Sequence, residues 1–419
     1  MAVVGGIVGV LSAQAALLAL ALAVTVLAVG VSCVEPRAIP VLAIPACLVM
    51  TRVIGIVSVS DVVLAAATAV SLFLVRGRMS AALRPLLWSG TVYLAVTVPT
   101  LILNPYAQNL IEWVHEVVLV LGGMVVGYAV GLTGAARAAL SSYVILSAAI
   151  GVVAAVVAVL SLLRTGAFQP VYLPSLHKNF IGGSLATAAV IAAARPPWIG
   201  WRRRTSYLLV VLCILGVVAA QSRQGLVALV VGFLILTLRF RRRAGSWSRL
   251  VWLLAIPVMF YVVGEVNTQL ASDNLHNSAH QRLTWFSQSV DVWLHSPVFG
   301  VGMRWWYTDR FPSLFQPPNA EFEVLTTTGV VGLVGFLVMF AGGLWVLAHL
   351  DPVYGTVGLA VVLTRFVQAQ FDLYWVAGQA SLLWIVAGIC IGMQARDRAR
   401  ADPAMWTAPP GRSLTRPRT

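Results

Sequence analysis

The chain has 419 residues, of which 59% are hydrophobic and only 10% charged, with a mean hydropathy of +0.89. Soluble domains carry about one-quarter charged residues, so a soluble globular protein is excluded, and apolar runs of about 15–25 residues mark a polytopic helical membrane protein rather than a β-barrel of short alternating strands. The formal net charge of +14 is an arginine charge, with Lys178 the single lysine, and because the arginines cluster between apolar runs they read as topology signals and imply no nucleic-acid partner.

In chain order, residues 3–34 are expected to form one long helix or a tight pair, followed by a short apolar segment at 38–50 and a longer one at 61–75. Further segments cover 85–103, 111–132, 139–163, 180–194, 207–220, 225–238 and 250–264. A polar stretch at 265–322 interrupts them before the last three, 324–348, 353–371 and 374–393. A span needs about 20 residues, which gives an all-α bundle of about 12–14 spans in one domain, 1–393. The tail at 394–419 is rich in Arg and Pro; it is expected to be disordered, cytoplasmic and held against anionic lipids of the inner leaflet. The first basic residue is Arg37, so the charged n-region of a cleavable signal peptide is not expected. Cys33, Cys47, Cys213 and Cys390 lie in or beside apolar segments without metal-ligand spacing and read as buried small hydrophobes.

Orientation follows from arginine placement. Arg76/Arg78/Arg84, Arg137, Arg195/Arg202/Arg203/Arg204, Arg239/Arg241/Arg242/Arg243/Arg249 and Arg396/Arg398/Arg400 fall in alternate connections, so all can face the cytoplasm. The other connections, including the long loop at 265–322, then face out. Between Arg204 and Arg239 one straight helix would put two basic clusters on opposite sides. A hairpin turning at Ser222-Arg223 gives legs of about 17 residues, roughly 26 Å each, just enough to cross.

The polar chemistry gathers on the outer side. The long loop carries His276, His280, Arg282, His295, Arg304, Arg310, Asn319, Glu321 and Glu323. It also carries Trp285, Trp293, Trp305 and Trp306, which suit a surface for sugar rings or lipid headgroups, or else an interfacial aromatic belt. At under about 60 residues it is too small to fold alone and has to pack on the bundle. Arg223, Arg282, Arg304 and Lys178 are the cations available to a phosphate-bearing ligand, and arginine's planar fork suits diphosphate oxygens. Inside the spans, Glu112, His115 and Glu116 share one helix face, as do Arg365, Gln368 and Asp372; an Arg365–Glu116 pair or a cavity lining would account for them.

Three stretches together resemble the bacterial O-antigen ligase and O-antigen polymerase family. Ser222-Arg223-Gln224-Gly225 resembles the family's Ser-Arg turn between helices. Arg282-Leu283-Thr284-Trp285, followed by Pro297-Val298-Phe299-Gly300-Val301-Gly302, resembles its loop signature. Pro318-Asn319-Ala320-Glu321-Phe322, running to Thr328-Gly329-Val330-Val331-Gly332, resembles the element that leads into the next helix, and His177-Lys178-Asn179 resembles a weaker one. The best-matched region is about 178–335.

The resemblance implies a GT-C-like membrane glycosyltransferase without metal or other cofactor. It would take a glycan from an undecaprenyl diphosphate donor in the outer leaflet and pass it to the hydroxyl of an acceptor glycan or glycolipid. Carried over by motif, Arg223 and Arg282 bind the donor diphosphate, with Lys178 and Arg304 beside them. The family's His-Asn pair reads Pro318-Asn319 here, which leaves Glu321, Glu323 or His280 as base beside Asn319. The competing reading is a transporter or flippase for a lipid-linked or anionic substrate, but the internal repeats common in such proteins are not visible.

Overall fold

The computed structural model describes residues 26–401 except 28, 32, 55, 56, 77, 78, 240–246, 272–277 and 312–314. Most of the expected 3–34 segment, His276, the Arg241/Arg242/Arg243 cluster and the tail beyond Ala401 lie outside the described residues.

The architecture is an all-α membrane bundle. Its first half comprises α1 (Ala38–Ala46), α2 (Val59–Leu74), α3 (Leu83–Val96), α4 (Val98–Leu103), α5 (Ala107–Val117), α6 (Gly123–Thr133), α7 (Ala136–Thr165) and α8 (Lys178–Ala194). The second half comprises α9 (Arg203–Ala219), α10 (Arg223–Arg239), α11 (Trp247–Leu270), α12 (Ser278–Trp293), α13 (Ala320–His349), α14 (Pro352–Ala369) and α15 (Ala377–Ala401). A π-helical turn, Val118–Gly122, joins α5 to α6. Among the described residues six helices are long and apolar enough to cross a membrane: Leu83–Leu103, Ala107–Thr133, Ala136–Thr165, Ala320–His349, Pro352–Ala369 and Gly378–Ala401. The expected apolar segments from residue 61 onward each coincide with one helix or, at 85–103 and 111–132, with two consecutive helices.

Two details depart from expectation. A small antiparallel hairpin, β1 (Arg52–Ile54) with β2 (Val57–Ser58), precedes α2. It delivers Ser58 as N-cap, whose hydroxyl accepts from the Asp61 amide at 3.2 Å while the Asp61 carboxylate accepts from the Ser58 amide at 2.8 Å. This reciprocal capping starts the helix two residues before Asp61. Cys47, Cys213 and Cys390 are buried as expected, whereas Cys33 is exposed.

Small residues set the closest helix pair. A Cβ on Gly127 of α6 would lie 1.9 Å from the Ile385 carbonyl oxygen of α15, and one on Gly392 would lie 2.3 Å from that of Tyr128. Without Cβ atoms the two backbones touch, which is how helices gain van der Waals contact in lipid. From Gly378 to Ala395 α15 is correspondingly buried all round.

The helices alternate in direction, giving the bundle two distinct ends. At one end Arg239 donates to the Ala348 carbonyl at 2.9 Å and Tyr354 donates to Asp397 at 2.7 Å; Arg137, Arg195 and Arg203 lie at helix ends there, and Arg396 reaches Gly134 at the end of α6. The other end carries the starts of α8, α10 and α13, together with α12 and the turn after α14. The hairpin expected around Ser222-Arg223 is present, with α9 and α10 of 17 residues each.

Candidate functional site

The site assembles where α8 and α10 begin side by side. His177 caps α8, its Nδ1 accepting from the Asn179 amide at 3.3 Å, so Lys178 stands at the first helical position. In the α9–α10 turn Gln221 takes a left-handed φ of 49°, which reverses the chain and delivers Ser222 and Arg223 to the start of α10. This turn fits only against glycine: a Cβ on Gly182 would come within 2.1 Å of the Ser222 Cβ, and one on Gly225 within 2.9 Å of the Gly182 backbone. Gln224 stitches the corner, its Nε2 donating to the Asn179 carbonyl at 3.1 Å and to Asp372 Oδ2 at 3.0 Å.

Arg223 reaches across to α11, where Nη2 donates to Gln269 Oε1 at 3.4 Å. Arg282 on α12 faces the same corner. Burial lowers the pKa of its guanidinium, Asp372 opposes that shift, and the like charge of Arg223 adds to it. Lys178 is repelled by both Arg223 and Arg282. Three separate helices thus bring three cations within electrostatic reach of one another, with Asp372 acting on Arg282. Such a cluster has a net positive field and suits a polyanion.

The start of α13 closes the other flank. Phe286 lies one turn after Arg282 on the same face of α12 and stacks on Phe322 at 4.8 Å between ring centroids. Asn319 is the N-cap of α13: its Oδ1 accepts from the Phe322 amide at 3.0 Å, and its Nδ2 donates to the Gln370 carbonyl at 3.1 Å. Asn319, and not Glu321, is therefore the residue that caps the helix. Glu321 Oε1 accepts from Gln370 Nε2 at 2.5 Å, and Glu323 Oε1 accepts from Gln316 Nε2 at 2.8 Å. The second oxygen of each carboxylate is buried with no hydrogen-bond partner among the described residues. His280, two residues before Arg282 on α12, points to roughly the opposite side of that helix.

Arg304 stands apart from the other three cations. It forms a buried ion pair with Glu112, which in turn meets His115 Nδ1 at 3.3 Å, while His115 Nε2 lies 3.1 Å from Asp61. Burial works against the Arg304 charge, but the Glu112 carboxylate outweighs it and raises the guanidinium pKa. Glu116 on the same helix face accepts from Tyr93 at 2.8 Å. The Arg365–Glu116 pair does not form. Arg365 instead donates to the Gln379 carbonyl at 3.1 Å and to Gln368 Oε1 at 2.8 Å, because α14 turns that face toward α8 and α15 rather than toward α5.

Trp305 and Trp306 are a further correction: they form neither a belt nor an open sugar platform. Both are buried in a small aromatic core with Val292 and Val301, packed by Phe311 and Phe315. Trp305 donates to Thr326 Oγ1 at 3.3 Å, and this satisfied indole is what lets so large a side chain go inside. Trp285 is half-buried and stacks on Phe315 at 6.1 Å.

The glycine signature of the loop has a specific job. α13 breaks at Gly329, with φ 69° and ψ −168°, and the 297–302 segment docks into that break. The Val330 and Val331 amides donate to the Pro297 and Val298 carbonyls at 2.9 and 3.2 Å. The Val301 and Gly302 amides donate to the Thr326 and Thr327 carbonyls, both at 2.9 Å. The second and third sequence motifs are thus two halves of one joint. The sequence separates them by about 25 residues and gives no signal of their pairing.

Residues 208–337 match the family described as O-antigen ligase. No curated protein matches the chain. The matched segment contains the Arg223 turn, α12, the docked loop and the break in α13, and it does not favour a transporter.

Proposed function

From a segment of O-antigen ligase type within a multi-pass bacterial membrane protein, that is, a glycosyltransferase-like enzyme acting on lipid-linked glycan and an acceptor, we propose that this protein moves a glycan from undecaprenyl diphosphate to an acceptor hydroxyl on the outer face of the plasma membrane. The observation that carries this reading is the convergence of Lys178, Arg223 and Arg282 from three helices at the end of the bundle opposite Arg137, Arg203 and Arg239. Their place on the donor diphosphate follows from charge and from arginine's two parallel donors.

In the reaction the acceptor oxygen attacks the anomeric carbon of the donor glycan. The bond from that carbon to the diphosphate oxygen breaks, and the lipid diphosphate leaves with the electron pair. Positive charge fixed where that negative charge develops lowers the barrier. The acceptor's proton passes to a carboxylate, for which Glu321 is the leading choice: one oxygen is held by Gln370 and the other is unpartnered among the described residues. Glu323 sits deeper, and Asn319 holds the helix start in place. Arg304, paired to Glu112, serves to anchor the loop rather than to bind donor.

The test is transfer in proteoliposomes from an undecaprenyl-diphosphate-linked glycan. Losing one charge-assisted contact costs about 1.5–3 kcal/mol, or roughly 10- to 100-fold. Arg223→Ala and Arg282→Ala should each show that loss, and Lys at either position should restore little because the fork is gone. Full transfer by both Ala variants at normal expression would overturn the donor-site assignment.

A further inference from the structure

Beneath the cationic corner lies a second feature that glycan transfer does not use. A small cavity between α7, α8, α14 and α15 is lined by Arg365, Gln379, Ser184, Thr187, Tyr143 and Cys47, with room for a single water-sized species. Arg365 is 3% exposed. Its Nε and Nη1 are held by the Gln379 carbonyl and Gln368, while Nη2 is buried with no hydrogen-bond partner among the described residues.

A guanidinium in the middle of a membrane bundle needs compensating charge. No carboxylate forms an ion pair with it among the described residues. Asp372, just beyond the end of α14, acts on the guanidinium only at a distance and is hydrogen-bonded to Gln224. The ring of Tyr374, 5.8 Å from the guanidinium carbon, offers a cation–π contact but no charge. The other groups around the cavity are neutral. Tyr143 donates to the Ser184 carbonyl and Thr187 to the Gly183 carbonyl, so those two hydroxyl protons are already used. The Ser184 oxygen faces Gln379 Nε2 at 3.4 Å as acceptor, which leaves its own proton to donate.

We infer that this cavity is a binding site for a small monovalent anion of halide size, held by Arg365 Nη2 and the Ser184 hydroxyl. The chemistry selects charge and size together. The Nη2 protons and the Ser184 proton are donors, the cationic head gives the sign, and the confined volume, which takes a halide only when its lining side chains shift slightly, excludes phosphate, sulfate and carboxylates. The bound anion would neutralise Arg365 and fix the contacts by which Gln368 and Gln379 hold the start of α8, where Gln368 donates to the Gly183 carbonyl and Gln379 to that of Phe180. The inference does not depend on the donor assignment above, since its readout is stability and not transfer.

The experiment compares thermal unfolding of the full chain in detergent in sodium bromide, sodium chloride and sodium gluconate at equal ionic strength. A ligand that binds only the folded state raises the midpoint by mass action. Bromide and chloride should raise it saturably by about 2 °C or more over gluconate. Arg365→Met should abolish the halide dependence, and Ser184→Ala should move its half-saturation several-fold upward. If Arg365→Met does not fold, the wild-type comparison and Ser184→Ala still decide. Equal midpoints in halide and gluconate, or a halide shift unchanged by both substitutions, would overturn the site and leave the cavity to a water molecule.

Discussion

The Pro297 carbonyl accepts a hydrogen bond from the Val330 amide at 2.9 Å, across the point where α13 breaks at Gly329. That bond replaces one the helix loses at the break, so loop and helix complete each other's backbone. A Cβ at Gly329 would lie 2.2 Å from the Val298 carbonyl oxygen, and the backbone region it occupies is essentially reserved for glycine, at a cost of about 1–3 kcal/mol for other residues. Gly329→Ala should therefore lower the unfolding midpoint and reduce transfer. Gly264→Ala, whose added Cβ meets nothing within 4 Å, is the neutral control. Equal midpoints for the two variants would show that the joint does not constrain the fold.

The buried Arg304–Glu112 pair should behave as an anchor. Removing one partner of such a pair costs roughly 3–5 kcal/mol, because the other charge is left buried and alone. Arg304→Met and Glu112→Gln should each destabilise strongly, and the double variant should be less destabilised than the sum. A double-mutant cycle by thermal or denaturant unfolding measures this coupling. Strict additivity would mean that the two side chains act independently.

Glu321 and Glu323 are predicted to be inequivalent. Glu321→Gln should abolish transfer while donor lipid still binds, since only the proton acceptor is lost. Glu323→Gln should keep measurable turnover in the folded fraction, because its carboxylate is 2% exposed and tied to Gln316. Single-turnover transfer alongside donor binding separates the two effects. Near-normal turnover by purified Glu321→Gln would move the base to Glu323 or His280.

The orientation rests on arginine asymmetry, and exposed positions at the two ends report on it. In a Cys33→Ser background, where the remaining native cysteines are buried, Asp309→Cys should react with an impermeant thiol reagent in intact cells. Arg204→Cys should react only after permeabilisation. The reverse pattern would invert the bundle and put the cationic corner in the cytoplasm.

Much of the bundle is legible from hydropathy alone, because lipid forces each span to satisfy its own backbone and arginines mark the ends. The α9–α10 hairpin follows from the distance between Arg204 and Arg239. The convergence of Arg223 and Arg282 also follows, in outline, from their shared face. The fate of Arg304 does not: its partner Glu112 lies almost two hundred residues earlier, and nothing local distinguishes a cation that binds ligand from one that meets a carboxylate. Trp305 and Trp306 are not resolved by sequence for the same reason, since an aromatic pair in a polar loop looks alike whether it faces water or fills a miniature core. That Asn319 caps α13 depends on local backbone geometry that hydropathy does not encode.

The break in α13 also lies along a line that the chain itself does not mark. The nine residues from Ala320 to Thr328 are helical by dihedral angle, yet their carbonyls nearest the break, at Thr326 and Thr327, are bonded to the loop. Below Gly329 the same helix packs among membrane spans through Phe336 and Phe340. Cooperative opening follows such contacts rather than helix boundaries. The first two and a half turns of α13 are tied both to the loop, through Thr326 and Thr327, and to the bundle core, through Ala320 and Val324, so opening of the polar cap and melting of the bilayer core are coupled within a single helix.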